Sequence, residues 1–238
     1  MTRILIAILV SILSLATGLA IRPAIEVTFE EMSSPNRNSA PYDSRVYQES
    51  TAKSYLISTG NPTYDQFDSY IINASDYYGI PDKLIVKSLV MQESSFDPFL
   101  ISSDIPCGVP DGWTDQESRS FGLTQVTHAC GEVGGSGPNL TTDTKSPNWA
   151  TSVFNPEFNI NQGVNELSRM LSLMKSKFPE CTNEQYMLMA LGAYNSGEDA
   201  IDGCDSWNER ADNYINNVTE KYRTLSDLSE MVNSLYNS

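Results

Sequence analysis

Glu93 is the residue whose type and setting best suit chemistry. Val86, Val90 and Glu93 stand at offsets 0, 4 and 7, so on a helix the three share a face. A carboxylate on an apolar stripe is partly desolvated, and desolvation raises its pKa. The negative end of the helix dipole pushes the same way. A carboxyl that keeps its proton near neutral pH is what a glycosidase uses to protonate a leaving oxygen. On spacing alone a helix-end ion pair with a Lys or Arg is the favoured reading of the same glutamate. His128, the sole histidine, finds no Gly-x-Ser-x-Gly elbow to serve, and reads as a loop or groove-wall residue.

The four cysteines, Cys107, Cys130, Cys181 and Cys204, form no CxxC pair. With one histidine the chain lacks the ligands and spacing of a zinc site, and neither a metal nor a cofactor is expected. An even cysteine count in an exported chain favours disulfides. Of three possible pairings the sequence-local one is expected, Cys107 with Cys130 and Cys181 with Cys204, each contributing about 3 kcal/mol in the chain-entropy model. Asn73, Asn139 and Asn217 head N-x-Ser/Thr sequons and are candidate glycosylation sites.

The elements that must position these residues are mostly helical. Residues 1–20 carry one charge, Arg3, ahead of an apolar run too short to span a bilayer and a small-residue exit. They read as a secretory signal peptide. Residues 21–60, rich in Ser, Pro, Asn and Glu, read as a flexible leader, and 61–238 as one domain with a sizeable core. A first helix is expected over 64–78, ended by Gly79, and a second opening at Pro81 and Asp82. A long helix follows Asn155 and Pro156, its apolar stripe running through Ile160, Val164, Leu167, Leu171, Met174 and Phe178. Thr182 and Gln185 make a capping box for the next, closed by Gly197. Two more helices are expected over 209–222 and 225–235, while 99–155 reads as glycine-rich loop that could hold short strands.

Five short motifs in fixed order carry a resemblance. Glu93-Ser94-Ser95-Phe96-Asp97-Pro98 resembles the glutamate motif of lytic transglycosylases. Phe121-Gly122-Leu123-Thr124-Gln125-Val126 resembles their Gly-Leu-Met-Gln motif, shared with goose-type lysozymes. Asn155-Pro156-Glu157-Phe158-Asn159-Ile160 with Gly163 resembles their Pro-Glu-x-Asn-Ile helix, and Ala193-Tyr194-Asn195-Ser196-Gly197 their Ala-Tyr-Asn-x-Gly turn. Asn213-Tyr214 with Val218 and Tyr222 is similar to their closing helix. The chain is thus identified as a member of the lytic transglycosylase (SLT domain) and goose-type lysozyme superfamily, similar to glycoside hydrolase family 23.

The resemblance implies a lysozyme-like helical domain with a loop-rich insertion flanking a substrate groove. It implies a muramidase cutting the β-1,4 bond between N-acetylmuramic acid and N-acetylglucosamine, with Glu93 as general acid. Gln125 and Tyr194 match groove residues near the acetamido group and the acid; Asn195 and Ser94 join them as candidate substrate-binding positions, and Tyr214 as a shaper of the groove. Two departures stand out. Between Glu93 and Gly122 lie 28 residues, about twice the family's usual spacing. This insertion holds Asp115, which matches the aspartate that assists water in goose-type lysozymes and makes a hydrolytic base conceivable. Thr124 replaces the motif's methionine.

Net charge is −15 over 238 residues, and loss of the signal peptide, residues 1–20, removes one cation and no acid. Such a chain repels nucleic acid and anionic lipid, which both need clustered Lys and Arg. The expected partner is the peptidoglycan glycan strand, met by a secreted monomer with no membrane contact once the signal peptide is gone. Two alternatives stand beside it: hydrolysis of chitin or chitooligosaccharides, and a non-catalytic secreted carbohydrate-binding protein.

Overall fold

The computed structural model describes residues 57–102, 118–129 and 138–236. The fold is mostly helical. Among the described residues six α-helices run in chain order: α1 Pro62–Asp65, α2 Asp68–Tyr78, α3 Lys83–Ser94, α4 Pro156–Lys177, α5 Asn183–Ser196 and α6 Glu209–Tyr236. Strands β1 Ser118–Phe121 and β2 Val126–Ala129 pair antiparallel, as do β3 Ile201–Gly203 and β4 Ser206–Trp207. The first hairpin supplies the short strands allowed for within 99–155.

Local chemistry starts and stops the helices. Asn155 accepts the Phe158 amide at 3.0 Å with Pro156 in the first turn, as its sequence requires. The Thr182–Gln185 capping box is complete in both directions, at 2.8 and 3.2 Å. Gly79, at φ 71°, ends α2 in the left-handed conformation that glycine adopts without a Cβ clash.

Four expectations need correction. Asp82, not Pro81, opens α3: its side chain accepts the Leu84 amide at 3.0 Å and proline stays outside the helix. The helix expected over 64–78 breaks at Phe67, whose non-helical backbone (φ −114°, ψ 7°) lets its ring and the Asp68 carboxylate both turn inward. Residues 209–236 form one helix rather than two, since neither Gly nor Pro interrupts them and Leu225, where the second was expected to start, is buried. The folded unit also begins earlier than residue 61. Ile57 and Thr59 are buried, and the Ile57 carbonyl accepts from Lys87 Nζ at 2.8 Å.

The core lies where α3 meets α6, α4 meets α2 and α5, and α5 meets α6. Ile160, Val164, Leu167, Leu171 and Met174 of α4 all enter it, each buried side chain contributing roughly 1.5–3 kcal/mol. Gly192 lets α5 close on its neighbours, for a Cβ there would lie 3.0 Å from Ile201 and 3.1 Å from Ile215. Lys87 is fully buried in mid-α3, 2.7 Å from both Asp65 and Asp68. A disulfide joins Cys181, just before α5, to Cys204 in the β3–β4 turn, with Cα atoms 5.4 Å apart. Cys107 and Cys130 lie outside the described residues, as do the signal peptide and residues 21–56 of the leader. No described helix is long and apolar enough to cross a membrane.

Candidate active site

Helix α3 carries Glu93 in its last turn, anchored by the fully buried Val86 and Val90 on the same face. Immediately afterwards the chain reverses through two left-handed residues, Ser95 at φ 52° and Phe96 at φ 67°. Phe96 is buried and its ring stacks on Tyr64 at 5.4 Å, which holds the reversal in place. Among the described residues only Gln125, at φ 48°, shares this conformation without being glycine. Each such residue stores about 1–3 kcal/mol, and all three border Glu93 or the loop that faces it.

That loop, residues 122–125, is a hub. Ser94 Oγ donates to the Leu123 carbonyl at 2.9 Å and is 6% exposed, so it ties the end of α3 to the loop and is not displayed to a substrate. Gly122 has φ 70°, and a Cβ on it would stand 2.6 Å from Asn159 Nδ2. Asn159, buried on α4, donates to the carbonyls of Phe121 and Val153 at 2.8 and 2.9 Å and accepts the Thr124 amide at 2.8 Å. Gln125 Nε2 donates to the carbonyls of Gly122 and Leu100 at 2.9 and 3.1 Å. Both neighbours can only accept, which fixes the amide's orientation and leaves its oxygen as an acceptor.

Two tyrosines complete the site in opposite senses. Tyr214 of α6 donates its hydroxyl to Glu93 Oε1. Tyr194 of α5 donates instead to the Thr124 carbonyl at 2.6 Å. Burial pushes the Glu93 pKa up to about 7, against the opposing pull of the Tyr214 hydrogen bond. Burial, and then the Glu93 charge, raise both tyrosine hydroxyls well above their ordinary range. Both therefore stay neutral, and each responds to the glutamate's charge. With Oε1 engaged by Tyr214, Oε2 is the oxygen on which a transferable proton sits.

A cleft of about 390 Å³ opens beside this cluster, lined by Gln125, Val126, Thr127, Gln162, Asn165, Glu166 and Tyr194. Its lining is rich in amides, and its one carboxylate, Glu166, is paired with Arg169 at 2.8 Å. Such a wall suits an uncharged, hydroxyl- and amide-bearing ligand.

Gln125 and Tyr194 line the cleft together, and the Tyr194 hydroxyl feels the Glu93 charge. Asn195 is turned elsewhere: its side-chain and backbone oxygens both accept from Arg210 at 3.3 Å. Asp115 lies outside the described residues. Asn73 is 3% exposed within α2, so a glycan on its Nδ2 is incompatible with this packing. Asn139 uses its Nδ2 on the Asn148 carbonyl at 2.6 Å and Thr151 at 3.1 Å, whereas Asn217 is exposed on α6. Sequence reasoning missed that Tyr214, not Tyr194, hydrogen-bonds the acid, and it gave Asn159 no role. A polar residue flanking an apolar stripe, one turn before Gly163, was the available signal for Asn159.

The helical domain thus holds a half-buried carboxyl that accepts from one neutral tyrosine and acts on the electrostatics of a second, beside an amide-lined cleft. The family model of the transglycosylase SLT domain matches residues 69–218, more than half of the chain, and the protein belongs to that family. No curated protein matches it in a sequence comparison.

Proposed function

We propose that this protein is an exported peptidoglycan lytic transglycosylase in which Glu93 serves first as acid and then as base. The carrying observation is the half-buried Glu93 carboxyl, poised near pH 7 and accepting from Tyr214. A pKa close to the working pH lets one group both give and take a proton efficiently.

The steps balance with one carboxyl and no water. Glu93 passes its proton to the glycosidic oxygen as the bond to C1 of the muramic acid breaks, and the bonding pair leaves with that oxygen. The substrate's acetamido oxygen shields the positive charge developing at C1. The Glu93 carboxylate then removes the proton of the sugar's 6-hydroxyl, whose oxygen bonds to C1, giving a 1,6-anhydro end and restoring the acid. Tyr214, by holding Oε1, keeps the proton-carrying oxygen constant through both transfers. The Gln125 amide oxygen suits the N–H of an acetamido group at the cleft.

Mass spectrometry of muropeptides released by the purified protein and by Glu93→Gln tests this reading. Products one water lighter than hydrolysis products, lost by about 10²–10⁴-fold in the variant, are the expected result. Hydrated products would assign hydrolysis and a role for Asp115, release from chitin but not from bacterial walls would assign the other polymer, and unchanged release by Glu93→Gln would overturn the assignment of the acid.

A further inference from the structure

Thr124 stands where the resembling motif has methionine, and the site chemistry above uses only its carbonyl. Its side chain is nonetheless fully buried and fully engaged. Thr124 Oγ1 lies 2.8 Å from Asn159 Oδ1 and 3.0 Å from the Asn159 carbonyl, and the Thr124 amide donates to the same Oδ1 at 2.8 Å. Asn159 is in turn held by its two bonds to Phe121 and Val153. Opposite stands Gly163, one turn further along α4. A Cβ there would lie 2.4 Å from Thr124 Cβ and Oγ1, so the helix reaches the loop only because position 163 has no side chain. Threonine and glycine are a matched pair. The hydroxyl fills the space that the glycine leaves, and it is fixed by a helix rather than by the loop itself.

We propose that Thr124 is a positioning residue: its hydroxyl, locked to Asn159 against Gly163, fixes its own carbonyl as the acceptor for the Tyr194 hydroxyl and so sets which way Tyr194 presents its proton beside Glu93. With its proton held by that carbonyl, Tyr194 turns only oxygen lone pairs towards the acid. If the loop slackens, the Tyr194 proton is released and can turn towards Glu93, making a second donor beside Tyr214. An added donor stabilises the carboxylate and weakens the acid's hold on its proton. Proton direction at Tyr194 is therefore governed from α4, through a backbone carbonyl, by a side chain that never touches the substrate.

This inference rests on the assignment of Glu93 as the acid, and Glu93→Gln in the same assay separates the two. The experiment is a pH profile of kcat and KM for release from soluble peptidoglycan fragments by Thr124→Val, Thr124→Ala, Thr124→Ser, Tyr194→Phe and the Thr124→Val/Tyr194→Phe pair. Thr124→Val and Thr124→Ala should lower kcat about 10- to 100-fold, the scale of a small misplacement at a reacting centre, with KM nearly unchanged. Their descending limb should move to lower pH, Thr124→Ser should restore both values, and the pair should be no slower than Tyr194→Phe and lack the limb shift. The alanine variant, which adds no atom to the packed site, carries the test if the valine variant does not fold. Wild-type kcat in both hydroxyl-free variants, or a pair whose losses multiply, would overturn the proposal. Loss of kcat with no movement of the limb would also overturn it, by reducing Thr124 to a packing role.

Discussion

At the scale of single residues, Glu93 keeps a proton that an exposed glutamate gives up near pH 4.5. Burial is the larger effect and Tyr214 works against it, so each change has a predictable direction. Removing the Tyr214 hydroxyl takes away a donor to the charged form, and the glutamate pKa rises. Because catalysis begins from the protonated acid, the descending limb of activity in Tyr214→Phe should move to higher pH, while kcat falls from loss of orientation. A pH–rate profile of the variant checks this, and a limb displaced downward would show that Tyr214 does not donate to Glu93. The half-buried place of Glu93 at the end of its helix was legible in sequence because an apolar stripe marks that face. Tyr214 was not, since a tyrosine on a helix stripe packs into a core by default and only the approach of α6 to α3 reveals its partner.

At the scale of elements, the helix that delivers Glu93 is pinned along its length from outside the matched family region. Tyr222 of α6 donates to Asp82, the cap of α3, at 2.8 Å, and Lys87 takes the Ile57 carbonyl and the two aspartates Asp65 and Asp68. Burial raises the Asp68 pKa to about 7 even though Lys87 opposes it. A carboxyl raised in the fold contributes stability below its unfolded pKa and loses it as pH climbs through the folded value, so Asp68 favours the fold at acidic pH, whereas Asp65, where burial is outweighed by hydrogen bonds from Lys87 and Thr59 and the pKa is lowered, contributes in the opposite sense. Lys87→Met leaves buried carboxylates without their cation, and urea unfolding at pH 7 should show a loss of about 3–5 kcal/mol. The deficit should shrink as the pH is lowered and the aspartates protonate; an unchanged deficit at acidic pH would mean that charge is not the cause. The caps at Asn155, Asp82 and Thr182 were readable because a cap is a local bond between near neighbours. The lysine cluster was invisible, for Lys87 meets Asp65 and Ile57 only through tertiary packing, and nothing near it in sequence marks it as buried.

At the scale of the whole molecule, a net charge of −15 faces an anionic wall. Repulsion of this kind slows encounter and is screened by salt, whose Debye length falls from about 30 Å at 0.01 M to about 8 Å at 0.15 M. Activity on insoluble walls should therefore rise over that range while kcat on small soluble fragments stays constant, and a fall with salt would point to a local basic binding face instead. Acid conditions act in the same sense by neutralising carboxylates, and they also keep Glu93 protonated, so wall activity should peak below pH 7.

The most direct measurement is the titration of the Glu93 carboxyl itself, by NMR of protein carrying ¹³C at glutamate side chains, with Glu93→Gln to identify the signal. A midpoint near 7 is the predicted result. A midpoint near 4.5, the ordinary glutamate value, would mean that the carboxyl is ionised at neutral pH and would contradict its role as the acid.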